Sequence, residues 1–563
     1  MFIGKSQANN MGLFSTLIYI LTRYIVILII IIINSGLAGA QMTKKWLFLD
    51  RNVITEPVEI SERAIKRRET RGHTSSPTEY DLTLSQEYID TIESAGLTVH
   101  HFSRWLSAVS VSGDEAALSA AMTLPFVTGS KSVASFTGRR FEQEELTPAM
   151  VKALSASVYT ALDYGPSYTP IHLCQIDSLH DLNFTGEGVL IGVMDTGFNL
   201  EHPAMSHIID DGRLLGTYDF INDDENVQDS LSNEQEHGTA VWSVIGAYAE
   251  GSMIGAAYGA QFLLAKTEIR VPPDQQSEED NWIAAVEWME AEGVDIVSSS
   301  VGYLDWYEWG DLDGDTPLIT AAADYAAHLG VVVVNSAGNE RGNTWNTLIV
   351  PADGDSVIAA GGVNSDGTLW YASSPGPTAD GRIKPDICAQ SIGVPAAYYY
   401  SGGYHSYSGT SFSAPMIAGG LALILEAHPD WDVGTIIDNL KLYGSKSGNP
   451  DNDFGWGIAR FADMYHREIS TIMGAPIFVA PHPARGTVVF HFDPPLNGAT
   501  EIIIYTVAGD RVKTILLSPI DEAISEVNWN ARNFSGDVIA SGIYLAHLQS
   551  PSACRTIKFA FVK

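Results

Sequence analysis

The chain has 563 residues, 32 of them basic and 67 acidic, for a formal net charge of −35. That length exceeds one ordinary domain, and the acidic balance argues against a nucleic-acid backbone as the main partner while suiting a soluble secreted protein. Three cysteines, Cys174, Cys388 and Cys554, allow at most one disulfide, so neither a disulfide scaffold nor a cysteine metal cluster is encoded.

At the amino terminus Lys5 and Arg23 precede the apolar run 24–33, and Ala38-Gly39-Ala40 follows as a small-x-small cleavage signal. Residues 1–40 are expected to be a signal peptide, with Met11 as an alternative start. The competing reading is an uncleaved anchor over 17–33, which Arg23 interrupts. Strand-like and helical stretches then alternate at 46–49, 61–69, 85–95, 98–102, 106–111, 114–123 and 126–132, a small α+β unit of β-α-β order within residues 41–135. Taken alone it is an independent binding domain. Residues 136–163, with dibasic Arg139-Arg140 and the polar stretch 142–147, have the texture of an accessible linker.

Continuous apolar runs recur at 189–194, 262–265, 294–297, 331–334 and 357–360, with helix-like stretches between them. Such runs imply a parallel sheet covered on both faces, a doubly wound α/β domain. Functional groups then collect at the carboxyl ends of the strands. The first run ends in Asp195-Thr196-Gly197, a carboxylate at the lip of the sheet, and Glu236-His237-Gly238-Thr239-Ala240 opens an apolar helix with an imidazole. The fourth run leads into Ala337-Gly338-Asn339, an amide in a tight turn. Finally, Gly409-Thr410-Ser411-Phe412-Ser413-Ala414-Pro415 sets a hydroxyl before the run 413–427, apolar nearly all round and so a buried helix, with Pro415 in its first turn. Each residue alone is a cap or a turn former. Together they suffice for acyl transfer: a hydroxyl nucleophile, an imidazole base, an orienting carboxylate and an amide donor.

With DTG at 195–197, HGT at 237–239, AGN at 337–339 and GTSFSAP at 409–415, the chain resembles the subtilisin-like serine peptidases over residues 164–470. The chain order Asp, His, Ser separates that clan from chymotrypsin-like and α/β-hydrolase enzymes. The resemblance implies Ser411 as nucleophile, His237 as general base and acid, Asp195 as the group that holds the imidazole, and Asn339 with the Ser411 N–H as oxyanion donors. It also implies that Ser300, Val301 and Gly302 pair with an extended substrate backbone, and that Ala337 and Gly338 flank the pocket for the residue before the scissile bond. Glu340 then either favours a basic side chain in that pocket or is a solvated turn carboxylate. Substrates are proteins or peptides, and catalysis requires no cofactor. Calcium stays open as a structural ion: Asp311-x-Asp313-Gly314-Asp315 has the spacing of oxygen ligands, but Ala322 stands where an EF-hand needs its closing glutamate, so a solvated insertion over 305–316 is preferred. Under the same resemblance residues 41–135 become an inhibitory propeptide, removed by self-cleavage between Val133 and Tyr164.

Past residue 476 short alternating strands at 487–492, 500–506, 511–517, 526–529, 542–548 and 556–562 are divided by Asn497-Gly498, Ala508-Gly509-Asp510 and Ser535-Gly536-Asp537, giving a β-sandwich over 476–563. Ile504-Tyr505-Thr506-Val507-Ala508-Gly509 and Ala540-Ser541-Gly542-Ile543-Tyr544-Leu545 resemble the carboxyl-terminal sorting domains of the type IX secretion system, whose machinery becomes an expected partner. Ala480-Pro481-His482-Pro483 departs from the usual Tyr-Pro-Asn-Pro of those domains, and a plain stabilising or docking module is the alternative. The expectation is therefore a secreted or cell-surface serine endopeptidase of a Gram-negative bacterium, made as a self-processed proenzyme. Its rival is a catalytically inactive surface-binding protein on the same scaffold, which intact Asp195, His237, Asn339 and Ser411 count against.

Overall fold

A computed structural model describes the protein at residues 43–73, 78–133, 135–136, 142–145, 162–228, 235–269, 277–304, 307–400, 402–465, 477–479, 484–496, 500–506, 511–517, 524–549 and 554–563. The expected signal peptide lies outside them.

In the amino-terminal unit, β1 (Thr43–Leu49), β2 (Thr98–Ser103), β3 (Ala108–Gly113) and β4 (Val127–Ser132) form an antiparallel sheet in the order β2-β3-β1-β4. Helices α1 (Glu62–Thr70), α2 (Gln86–Ser94) and α3 (Glu115–Ala121) connect them. The Ser61 and Asp114 side chains accept from Ala64 N–H (3.1 Å) and Ala117 N–H (2.8 Å), which satisfies orphan donors and starts α1 and α3 where the sequence places them. Successive side chains of a strand point to opposite faces. Leu47 and Leu49 thus enter the unit's own core with Ile92 and Leu118, whereas Trp46 enters a core of the large domain with Trp282 and Met289. The unit continues into two short strands, β5 (Ser135–Phe136) and β6 (Glu142–Glu145).

The large domain is built on a seven-stranded parallel sheet: β7 (Leu190–Asp195), β8 (Leu214–Asp219), β9 (Gln261–Lys266), β11 (Ile296–Ser299), β12 (Val332–Ser336), β13 (Val357–Val363) and β14 (Ile387–Gln390), in the order β8-β9-β7-β11-β12-β13-β14. Between β9 and β11 lies the short β10 (Ser277–Glu278). Ile191 and Val193 of β7 pack into one cluster with Trp242, Ile417 and Leu421, from α4 (Gln235–Gly246) and α7 (Ser413–Ala427). Leu190 and Met194 pack into the other with Trp282 and Ala323, from α5 (Glu279–Glu292) and α6 (Leu318–His328). Both faces of the sheet are thus covered, as the continuous apolar runs require. A separate hairpin, β15 (Val394–Ala397) with β16 (Tyr404–Ser408), leads directly to Ser411.

The polar stretch 142–147 departs from the linker expected of it. Over 142–145 it is β6, paired antiparallel with β16 so that Glu142 lies opposite Ser408 and Glu145 opposite His405, while β5 pairs with β10. Adding a strand to a sheet edge is a main-chain interaction, so polar side chains do not forbid it. At the carboxyl end, one sheet of three strands and one of five enclose a shared core around Phe490, Trp529 and Phe559.

Candidate active site

Asp195 is the last residue of β7 and wholly buried, and His237 stands in the first turn of α4. The imidazole Nδ1 is 2.8 Å from Oδ1 and 2.8 Å from Oδ2 of Asp195. Oδ1 also accepts from the Thr196 N–H (2.7 Å) and hydroxyl (3.1 Å), which fixes the carboxylate plane. Gly238 permits the approach of α4 to the end of β7. A Cβ there would lie 2.1 Å from the Gly197 carbonyl oxygen and 3.1 Å from the Asp195 Cβ.

Ser411 occupies a single helical turn, Thr410–Phe412, immediately before α7. It exchanges hydrogen bonds with the segment after β11: the Ser300 hydroxyl donates to the Ser411 carbonyl (2.8 Å), and the Ser411 hydroxyl to the Ser300 carbonyl (3.3 Å). The neighbouring Phe412 ring meets the His237 imidazole edge-on, with centroids 6.0 Å apart, so the starts of α4 and α7 are packed together.

Asn339 is exposed at the cleft. Its Oδ1 accepts from the Thr410 N–H (2.9 Å) and the Thr410 hydroxyl (2.8 Å), and this assigns the opposite end of the amide as Nδ2. A methyl group placed on Gly409 would sit 3.6 Å from that Nδ2 and 3.7 Å from the Ser411 backbone nitrogen, so both nitrogens border one small space beside Ser411. The wall behind Asn339 is tied to the sheet. The Ala337 N–H donates to the Ala360 carbonyl (2.9 Å), and the Gly338 carbonyl accepts from the Ser374 N–H (2.9 Å). The structure thus gathers Asp195, His237, Ser411, Asn339, Ala337, Gly338 and the Ser300-Val301-Gly302 segment into one cleft. It adds Thr410, Thr196 and Phe412, which sequence reasoning passed over. Thr410 carried a signal, a second hydroxyl next to Ser411 inside the same motif.

Glu340 is a turn carboxylate, but a buried one (3% exposed): it accepts from the Asn343 side-chain amide, and its N–H donates to the Ser374 hydroxyl (3.0 Å). The Asp313 carboxylate is engaged by the Thr316 N–H (2.7 Å), the Thr316 hydroxyl (2.8 Å) and the Asp315 N–H (3.0 Å). Burial opposes the charge, but these hydrogen bonds together prevail and hold the acid below its ordinary value. Asp313 thereby serves a turn. Among the described residues no group of three or more His, Cys, Asp or Glu side chains is placed to hold a metal ion.

The amino-terminal unit is held on the large domain by buried ion pairs. Glu290 of α5, fully buried, receives Arg67, Arg68 (2.8 and 2.9 Å) and Arg104 (2.9 Å), and Arg68 also forks onto Asp81 at 2.9 Å from both nitrogens. Arg71 and Arg63 reach Asp295, each at 2.8 Å. Burial alone would raise the Glu290 acid, but Arg67, Arg68 and Arg104 bring it below its ordinary value. Glu287, whose burial outweighs Arg104 and the Ser103 hydroxyl, is pushed up to about 7.

A model of the subtilase family matches residues 186–457, and one of the peptidase S8 propeptide domain of Bacteroidota matches residues 46–147. The chain is similar to subtilisin E of Bacillus subtilis, 32% identical over 297 residues that make up 52% of this chain and 70% of that protein. It is also similar to the subtilisin of Bacillus pumilus (32% over 286 residues, 50% of this chain and 93% of that one) and to the serine protease AprX of Bacillus subtilis (29% over 310 residues, 48% and 66%). An Asp–His pair at the lip of a parallel sheet, a serine at the head of a buried helix, a propeptide bound across α5 and these relatives lead to one conclusion: the chain belongs to the subtilase family and is a serine endopeptidase made as a proenzyme.

Proposed function

We propose that Ser411, His237 and Asp195 form the catalytic triad and that Asn339 and the Ser411 N–H hold the oxyanion. The observation that carries this reading is the bidentate hold of Asp195 on His237 Nδ1. With Nδ1–H donated to the carboxylate, Nε2 is the basic nitrogen. It takes the Ser411 proton as Oγ attacks the scissile carbonyl, and it returns that proton to the leaving amine as the C–N bond breaks. Water then gives a proton to Nε2 and attacks the acyl ester; the C–Oγ bond breaks, the acid leaves, and Nε2 returns the proton to Ser411 Oγ. Negative charge at the carbonyl oxygen falls in the space bordered by Asn339 Nδ2 and Ser411 N. No step has a role for a metal, and a calcium ion, where bound, is structural. Ser300, Val301 and Gly302 seat the substrate backbone. Fluorophosphonate labelling and peptide hydrolysis by the processed enzyme test the assignment, with Ser411→Ala expected to abolish both. An unreactive wild type would favour the inactive binding protein.

Self-processing belongs to the same reading. Its support is that β5 lies on β10 while β6 lies on β16, whose last residue is Ser408, close before Ser411. The cleaved bond is then one of those between Phe136 and Glu142, inside the broader window expected from the sequence; residues 137–141 lie outside the described ones. The mature amino terminus read by intact mass checks it, and the Ser411→Ala precursor should stay uncut. For localisation, we infer a signal peptide over 1–40 and a sorting role of 476–563 in type IX secretion, supported by the apolar leader, by the sequence phrases at 504–509 and 540–545, and by the two sheets of the described carboxyl-terminal residues. A reporter carrying 476–563 should reach the surface of a type IX-competent host, and periplasmic retention would remove the assignment.

A further inference from the structure

The pocket for the residue before the scissile bond has a floor that the sequence motifs do not mention. If a substrate's carbonyl oxygen occupies the space between Asn339 Nδ2 and Ser411 N while its backbone runs along Ser300-Val301-Gly302, its side chain must enter the gap between that segment and Ala337-Gly338-Asn339. The same gap is spanned from below by Ile349 and Val350. The Ile349 N–H donates to the Ala337 carbonyl (3.1 Å), and Val350 exchanges both of its main-chain hydrogen bonds with Tyr303 (3.0 and 3.1 Å). The strap is thereby tied to both walls.

The Ile349 side chain stands upright in that gap. Its Cδ1 lies 2.7 Å from where a Cβ on Gly302 would be, and its Cγ2 2.9 Å from where a Cβ on Gly338 would be, so one side chain touches both walls. Ile349 is only 8% exposed, so nearly all of its bulk is packed against its neighbours. A β-branched side chain has one strongly preferred rotamer and does not swing aside, and a core packed on both sides resists overfilling. Glu340 does not compensate as a distant charge for a long basic side chain, since its carboxylate is buried against Asn343.

We propose that Ile349 is a specificity-determining residue that makes this pocket shallow, so that the enzyme cleaves after small side chains such as alanine and serine and disfavours large aromatic ones. The inference rests on the peptidase reading above. A hydrophobic pocket discriminates by roughly 10–200-fold per group it cannot seat. Processed wild type is therefore expected to hydrolyse peptides that differ only in the residue before the scissile bond with kcat/KM at least tenfold higher for Ala than for Phe.

The experiment compares wild type, Ile349→Val and Ile349→Gly on matched Ala, Phe and Arg peptides, with active sites counted by fluorophosphonate so that losses in folding do not enter the ratio. Ile349→Gly should raise the Phe-to-Ala ratio by tenfold or more, with Ile349→Val between it and wild type. Labelled enzymes whose Phe-to-Ala ratio stays within twofold across the series, or a wild type that prefers Phe or Arg, would overturn the proposal alone. A wild type that fluorophosphonate does not label would sink the peptidase reading and this inference with it.

Discussion

Thr410 does for Asn339 what Asp195 does for His237: it fixes which end of a planar group faces the reaction. With Oδ1 held by the Thr410 N–H and hydroxyl, the amide hydrogens of Nδ2 are turned to the small space that Nδ2 shares with the Ser411 nitrogen, which the proposed mechanism gives to the oxyanion. Asn339→Ala is expected to lower kcat by about 10²–10³, a magnitude that comes from the corresponding donor of subtilisin itself, with KM little changed. Thr410→Val keeps the N–H contact and removes the hydroxyl, so it should cost about 1 kcal/mol of transition-state stabilisation, roughly fivefold in kcat by steady-state kinetics. A larger loss in KM than in kcat would refute this role for Thr410. Asp195, His237, Asn339 and Ser411 were legible in the sequence because each chemical role demands its residue type within a short motif. Ile349 was not, because an apolar residue in a loop acquires its meaning only from walls that the chain supplies at Gly302 and Gly338.

At the scale of elements, α1 and α5 form an interface in which charge replaces grease. Five arginines of the propeptide, Arg63, Arg67, Arg68, Arg71 and Arg104, converge on carboxylates of the large domain. Removing one member strands the others in a dry site, so Glu290→Ala in the Ser411→Ala precursor should destabilise the docked state by about 3–5 kcal/mol. Denaturant unfolding of that precursor measures it, and a change below 1 kcal/mol would mean the network is a solvated one. The strands of the central sheet were legible wherever burial on both faces writes an unbroken apolar run, as in β7, β9 and β12. The edge strands β8 and β14 escaped, the first because Gly216 and Thr217 interrupt a half-exposed strand and the second because it spans only Ile387–Gln390. Strand β6 escaped for a different reason, since its pairing with β16 is written in main-chain groups that every residue carries.

For the whole molecule, acid is expected to weaken the fold through His180. It is buried, with Nδ1 2.8 Å from the Tyr164 hydroxyl and Nε2 3.0 Å from the Ala256 carbonyl, and burial, against the pull of that carbonyl, pushes it down to about 4. The unfolded chain takes up this proton near pH 6.5 and the fold refuses it until about pH 4. The contribution is complete above pH 6.5 and is lost as the pH falls through that window, about 3 kcal/mol in all. The unfolding free energy of the Ser411→Ala precursor should therefore fall between pH 7 and pH 4, and His180→Asn should flatten that slope; an equal slope in both would assign the loss to other groups. The same whole-chain view gives β6 a second meaning. In the proenzyme it caps β16 on the side opposite β15, completing a sheet of three strands among the described residues. With the cut between Phe136 and Glu142, β6 becomes the first strand of the mature enzyme and keeps covered a row of main-chain donors and acceptors beside Ser411 that, bare, would be an adhesive margin. Maturation by that cut therefore gains activity without baring a strand edge: the new amino terminus arrives already seated as the cover.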